Sequence, residues 1–344
     1  MKRQLKNMIV VAVAGCLALL SGCSQRHDYV PFENAEIGIL YSTDNQNISK
    51  IEWFDEGLCS LGTEEYPFAG ASVSQSNAHL NNGCVYLAPT GLENKKDYGK
   101  IAVIDPIQGG FQEIDTGRVN QYDCDVEGDY AVLTSNLNGT CSIDLIHLAT
   151  EEMKTITPSD NGLICTQPIL INGKVYAVAL NDQQYYICSC NFEYDTTEII
   201  AELPNETTTY LERHGSDLVY LSNGTLVKYH TQTGESDYVT LSRTNALNLN
   251  IAGDVAWIAY TDPFNEDSES VIEARDYDSG EIMGRVFVKG VVLQMETDNQ
   301  RLLVRINDSV VIYTFDGKEL TETNRISCKK DGLYFGGFFY LSGR

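Results

Sequence analysis

The chain has 344 residues, 43% hydrophobic and 10% aromatic, with 48 acidic against 24 basic side chains and a formal net charge of −24. That apolar content is too high for a solvated disordered tail, and an acidic excess with no cluster of Lys and Arg argues against nucleic acid as a partner. The length admits one large all-β domain or two ordinary ones.

Lys2, Arg3 and Lys6 precede a twelve-residue apolar run, Ile9 to Leu20, that ends in small residues without a second charged anchor. A spanning helix needs roughly 20 apolar residues. The run therefore reads as an export signal that is removed. Leu20-Ser21-Gly22-Cys23 resembles the lipobox of bacterial lipoproteins, in which the cysteine is diacylated and becomes the first mature residue. The resemblance implies a lipoprotein signal peptide over 1–22 and a lipid bilayer as partner through acylated Cys23. It also implies export, with anchoring to the outer face of the cytoplasmic membrane or to the outer membrane. Three basic residues leave with the signal, so 48 acidic side chains face 21 basic ones and the mature charge is −27. Anionic lipid heads repel such a surface, which leaves acyl chains to hold the domain. Residues 23–35 contain Pro31 and no clear periodicity, and read as a tether.

From Ile37 onward short apolar runs separated by Gly, Asn and Asp replace any helical period, so the chain reads as all-β. The runs recur behind turn glycines at Gly83, Gly128, Gly173, Gly215, Gly253 and Gly332, with Asn299 standing in one such place. Successive steps are 45, 45, 42, 38, 46 and 33 residues. Multi-strand units of this length, repeated along a chain, are the mark of a β-propeller. The unit reads as turn, strand, polar hairpin, second strand and often a weaker outer strand such as FQEIDTG. EIGILYS and ISKIEWF have no preceding unit, while only thirteen residues run from Gly332 to Arg344. Joined, they complete a blade from both chain ends, hiding strand edges that would otherwise face solvent. Residues 36–344 give about 44 per blade for seven blades or about 39 for eight, and seven is the expectation.

These repeats resemble bacterial lipoproteins with a seven-bladed β-propeller body, the broad class of quinoprotein-like and surface-layer-type propellers. The units lack a Gly-His start, a Trp-Asp finish and a recurring Trp, for only Trp53 and Trp257 are present. No quinone and no other cofactor is therefore expected, and no catalytic residue is carried over.

The eight cysteines after Cys23 allow two readings: small buried thiols in strands, or one to three disulfides, with Cys124–Cys141 the preferred pair. In DCDVEGD, the carboxylates Asp123, Asp125, Glu127 and Asp129 imitate the start of a calcium loop, but Thr134 stands where its bidentate carboxylate belongs. This is a weak metal candidate, the Cys188-x-Cys190 pair on one strand is a weaker one, and no metal site is expected. The stretch DPFNEDSES interrupts blade five as a solvated hairpin insertion or a partner-recognition loop. Tyr66, Tyr98, Tyr122, Tyr210 and Tyr260 fall at strand ends or connections and are the candidate binding rings; tyrosine is also an ordinary strand former. No nucleophile elbow or phosphate loop occurs. The expected function is an envelope binding or scaffold protein that recognises a protein or glycan through propeller loops. The alternative is a glycan-active hydrolase or lyase with carboxylates converging on the central channel; a structural part of an envelope assembly is a third.

Overall fold

The structure, a computed structural model, describes residues 29–72, 79–91, 99–137, 139–158, 164–181, 184–204, 211–298 and 300–341. The described strands form seven four-stranded antiparallel sheets and no helix. Each sheet is one blade of a propeller. Blades one to six span 79–115, 121–156, 164–203, 211–240, 246–289 and 292–327. The closing blade takes its innermost strand, Tyr334–Tyr340, from the C-terminus and its other three, Ile37–Ser42, Ser49–Phe54 and Ser60–Tyr66, from the N-terminus. Ile37 pairs with both Phe54 and Tyr340, so the two ends of the chain meet in one ladder.

The reason for this arrangement is a two-residue period with both faces buried. In the closing blade, Phe338 enters the core shared with blade six while Phe339 enters the core shared with blade one. In blade two, Leu133 packs towards blade one and Val132 towards blade three. Among the described residues, the buried apolar side chains gather into seven clusters, each between two neighbouring blades. No blade has a core of its own.

The glycine turns join the innermost strand of a blade to the second. Asn82-Gly83 and Asn172-Gly173 have φ of 52° and 79° and of 52° and 75°. Two successive left-handed residues make the tight hairpin turn that Asn-Gly supplies at least steric cost. The innermost strand therefore precedes each glycine and lies outside the unit as read from sequence. Gly332 is a different turn, lying before the innermost strand of the closing blade and not after it. Asn299 lies outside the described residues.

Part of the expected tether is body. Phe32 and Ala35 are buried, the Phe32 N–H donates to Pro106 O at 2.7 Å, and Tyr29 stacks on Tyr66 at 5.3 Å between centroids. Residues 29–35 thus fill the seam between the closing blade and blade one. Phe32 supplies the apolar contact that a free linker would lack.

Of the eight cysteines, six are buried, Cys84 is half-buried and Cys59 is exposed, all as thiols. The pair Cys124–Cys141 is corrected. Cys124 lies in the core between blades one and two, and Cys141 in that between blades two and three. The strand Tyr130–Leu137 separates their strands, and on it Cys124 pairs with Leu133 and Cys141 with Asn136, an odd offset that sends the two side chains to opposite faces of the sheet.

Candidate functional site: charged groups on the inner strands and an acidic cleft at the seam

The innermost strands carry buried polar side chains because their inner edges have no further strand to pair with. An unpartnered buried backbone group is costly, and side chains of the preceding blade supply the missing bonds. Asn248 donates to Val292 O at 2.8 Å, and Gln294 bonds both N and O of Phe338, at 3.1 and 2.8 Å. Asp125 accepts the Leu170 N–H at 2.7 Å in the same way.

At Asp125 this fastening becomes a charged cluster across four blades. His79 of blade one places Nε2 at 3.0 Å from Asp123 and Nδ1 at 3.4 Å from Asp125, both on blade two. Arg213 of blade four donates to Leu170 O at 2.6 Å and lies 3.5 Å from Asp125 and 3.6 Å from Glu127. Glu127 also accepts the Gly173 N–H at 3.2 Å. Burial pulls the His79 pKa down, but the charge of Asp123 and hydrogen bonds to both aspartates outweigh it and raise the pKa to about 9. Burial pushes Asp125 up, and the His79 hydrogen bond with the Arg213 charge brings it below the ordinary carboxylate value. His79 is thus an imidazolium held at both nitrogens. A general base needs a free ring nitrogen, which this geometry denies it.

The sign of the pH effect follows. A raised folded pKa means that His79 stabilises fully below its unfolded value of 6.5, and that this contribution is lost as pH rises through about 9. We expect the urea midpoint to fall between pH 6 and pH 9.5 in the native protein and to fall less in His79→Gln. Equal slopes in the two proteins would remove the imidazolium from this account.

Asp123, Asp125, Glu127 and Asp129, the calcium candidate, do not converge. The first two turn to His79, Glu127 turns to Arg213, and Asp129 is exposed. Among the described residues, no group of three or more His, Cys, Asp or Glu side chains is arranged to hold a metal ion. Of the tyrosines, Tyr66 is 3% exposed and Tyr260 1% exposed. The Tyr66 ring lies among Tyr29, Phe68 and Phe111, and the Tyr260 hydroxyl donates to Glu273 at 2.9 Å. Both rings are core. Tyr98 and Tyr210 lie outside the described residues, as does the side chain of Tyr122. Cys23 is also outside them.

Two surface features stand out, a cleft with no mark in the sequence and the blade-five insertion DPFNEDSES. A cleft of about 520 Å³ at the closing seam is lined by Glu33, Glu36, Asp55, Glu56, Ile107 and Leu341, among others. Glu36 there is paired with Arg301 at 3.0 Å. In blade five, the loop 261–268 is folded by its own polar groups: the Phe264 N–H donates to Asp262 and the Asp267 N–H to Asn265. It presents Phe264 at 96% exposure. His79 and Arg213 were invisible as partners because they lie on other blades. A signal for several inner strands did exist: Asp125, Glu212 and Asn250 each stand three residues before a turn glycine, and all three are buried, though the strand of His79 has Leu80 at that place.

No protein-family model matches the chain, and no curated protein does. Solved structures resemble it in fold alone. The dihydro-heme d1 dehydrogenase NirN in complex with DHE has a TM-score of 0.57 at 12% identity, covering 94% of this chain and 78% of that one. Apo AztD from Citrobacter koseri gives 0.55 at 8% identity, covering 89% and 97%. Kluyveromyces lactis Hsv2 gives 0.54 at 9% identity, covering 85% and 100%.

Proposed function

We propose that this protein is an exported binding or scaffold protein, held to a lipid bilayer by acylated Cys23, that recognises a protein or glycan through propeller loops. The observation that carries the reading is Phe264, a fully presented aromatic ring at the tip of a loop flanked by Asp262, Glu266 and Asp267. Water gains nothing from such a ring, whereas a partner with an apolar socket and a basic rim would. The acidic cleft adds a second surface of the same sign. Six residues lead from Cys23 to the docked Tyr29, a reach of at most about 20 Å. The body therefore stands close to the bilayer, with its seam between blades nearest. The enzyme reading gains less support, since the axial carboxylates Asp123 and Asp125 are engaged by His79 and Arg213.

Affinity capture from intact envelopes tests this. The native protein should retain a saturable partner roughly tenfold or more better than Phe264→Ala, the loss of one aromatic anchor. Equal retention by both, or no saturable partner, would count against the loop as the contact.

A further inference from the structure

The core between blades two and three holds four sulfur atoms: Cys141 in the third strand of blade two, Cys165 in the innermost strand of blade three, and Cys188 and Cys190 in its third strand. All four are buried. One hydrogen bond joins two of them directly: the Cys165 backbone N–H donates to Cys141 Sγ at 3.2 Å, whereas the Cys188 thiol donates to Ala177 O at 3.5 Å.

Strand geometry decides which pair can close a bond. A disulfide needs Cα atoms roughly 4.4–6.8 Å apart and side chains that face each other. Cys188 and Cys190 stand two apart on one strand, about 6.8 Å between Cα atoms with side chains parallel, so bridging them would buckle the strand. Cys165 and Cys188 lie on strands separated by Lys174–Asn181, opposite Ala179 and Ala177, so their backbones are about two strand spacings, or about 9.6 Å, apart at the least. Cys141 and Cys165 belong to different blades and face one another across the interface, with the backbone of one against the sulfur of the other.

We propose that Cys141 and Cys165 are a disulfide-forming pair that staples blade two to blade three. The oxidant is an external disulfide of the glutathione or thiol-oxidoreductase class. Cys141 gives up its proton to solvent and attacks as the thiolate one sulfur of that disulfide, forming a mixed disulfide and releasing one thiolate, which takes up the proton of Cys165. Cys165 then attacks the Cys141 sulfur and expels the second thiolate, which is protonated by solvent. Two protein thiols lose two electrons in all, and one external disulfide becomes two thiols. Because both sulfurs are buried in the docked blades, the exchange belongs to folding, before blade three seats against blade two. The bridge would close a loop over the 23 residues between the two cysteines. It is independent of what the loops bind.

The test is to unfold the purified full chain and refold it in a mixture of oxidised and reduced glutathione, and separately under full reduction. Free thiols are trapped with N-ethylmaleimide and the peptides mapped without reduction. The expected result is a Cys141–Cys165 linked peptide and a thermal midpoint higher by about 5 °C than that of the reduced protein. The double variant Cys188→Ala, Cys190→Ala keeps both results, and Cys165→Ala loses both. Should Cys165→Ala fail to fold, the map of the native protein and the double variant still decide. All four thiols alkylated after oxidative refolding, a bridge to Cys188 or Cys190, or a linked form that melts no higher would each overturn the proposal.

Discussion

Replacing Glu273 with alanine is expected to lower the unfolding free energy by about 3–5 kcal/mol, the cost of breaking a buried ion pair from one side. Glu273, in the third strand of blade five, is fully buried and accepts hydrogen bonds from Arg275, Arg285, Tyr260 and Ser242. Without it, the Arg275 guanidinium, only 5% exposed, keeps its charge in the core with the Gly280 carbonyl as remaining partner. Glu273→Gln should recover part of the packing and little of the charge pairing. The pH dependence has a definite sign. Burial raises the Glu273 pKa, but the bonds from Tyr260, Arg275 and Arg285 win and bring it below 4.5. A depressed folded pKa gives stability that is present above about 4.5 and lost as pH falls through the folded value. Urea titrations at pH 7 and pH 3 should therefore show a larger acid loss in the native protein than in Glu273→Gln. A change under about 1 kcal/mol in Glu273→Ala would mean that the arginines find water or other partners.

Deleting residues 334–344 is expected to abolish cooperative unfolding. The deletion removes Phe338, Phe339 and Tyr340 from two inter-blade cores. At about 3–5 kcal/mol for each large aromatic ring, the loss is on the order of 10 kcal/mol, comparable to the whole stability of a domain. It also strips the hydrogen-bond partner from strand Ile37–Ser42 and from the Gln294 amide. Circular dichroism and thermal melts would check it. A sharp transition near the native midpoint would show that the ring holds with an open blade. A shorter cut, removing only 342–344, serves as the control, since Leu341 still bonds Glu36 O.

How far the fold was legible follows from where each strand sits. Second and third strands such as Cys84–Leu87, Lys100–Asp105 and Val255–Tyr260 read clearly because both their faces are buried, leaving unbroken apolar runs. The closing hairpin was legible as two runs with no unit before them. Its fourth strand, Ser60–Tyr66, was not, since an outermost strand reading SLGTEEY is mostly solvent-facing. The inner strands were hidden for the opposite reason. Asp125, Asn248 and Gln294 are buried yet polar, doing for the next blade's backbone what a further strand would do, while buried Gln121 bonds the Pro89 and Lys100 carbonyls of the blade before it, and polar letters read as loop. Site legibility failed on range. DCDVEGD was visible, but His79 and Arg213 reach Asp125 across 46 and 88 residues. Cys124 and Cys141 looked adjacent because the inner strand that carries Cys124, Gln121–Glu127, had no separate signature.

Ladder partners Leu40 and Gly337 lie 297 residues apart in the chain. A ribosome adding about 5–20 residues per second delivers the second of them roughly 15–60 s after the first. For all that time the earliest strands of the nascent polypeptide wait with a bare edge. A product cut short by early termination would keep that edge open to wrong pairing, and only a chain that carries Tyr334–Tyr340 conceals it.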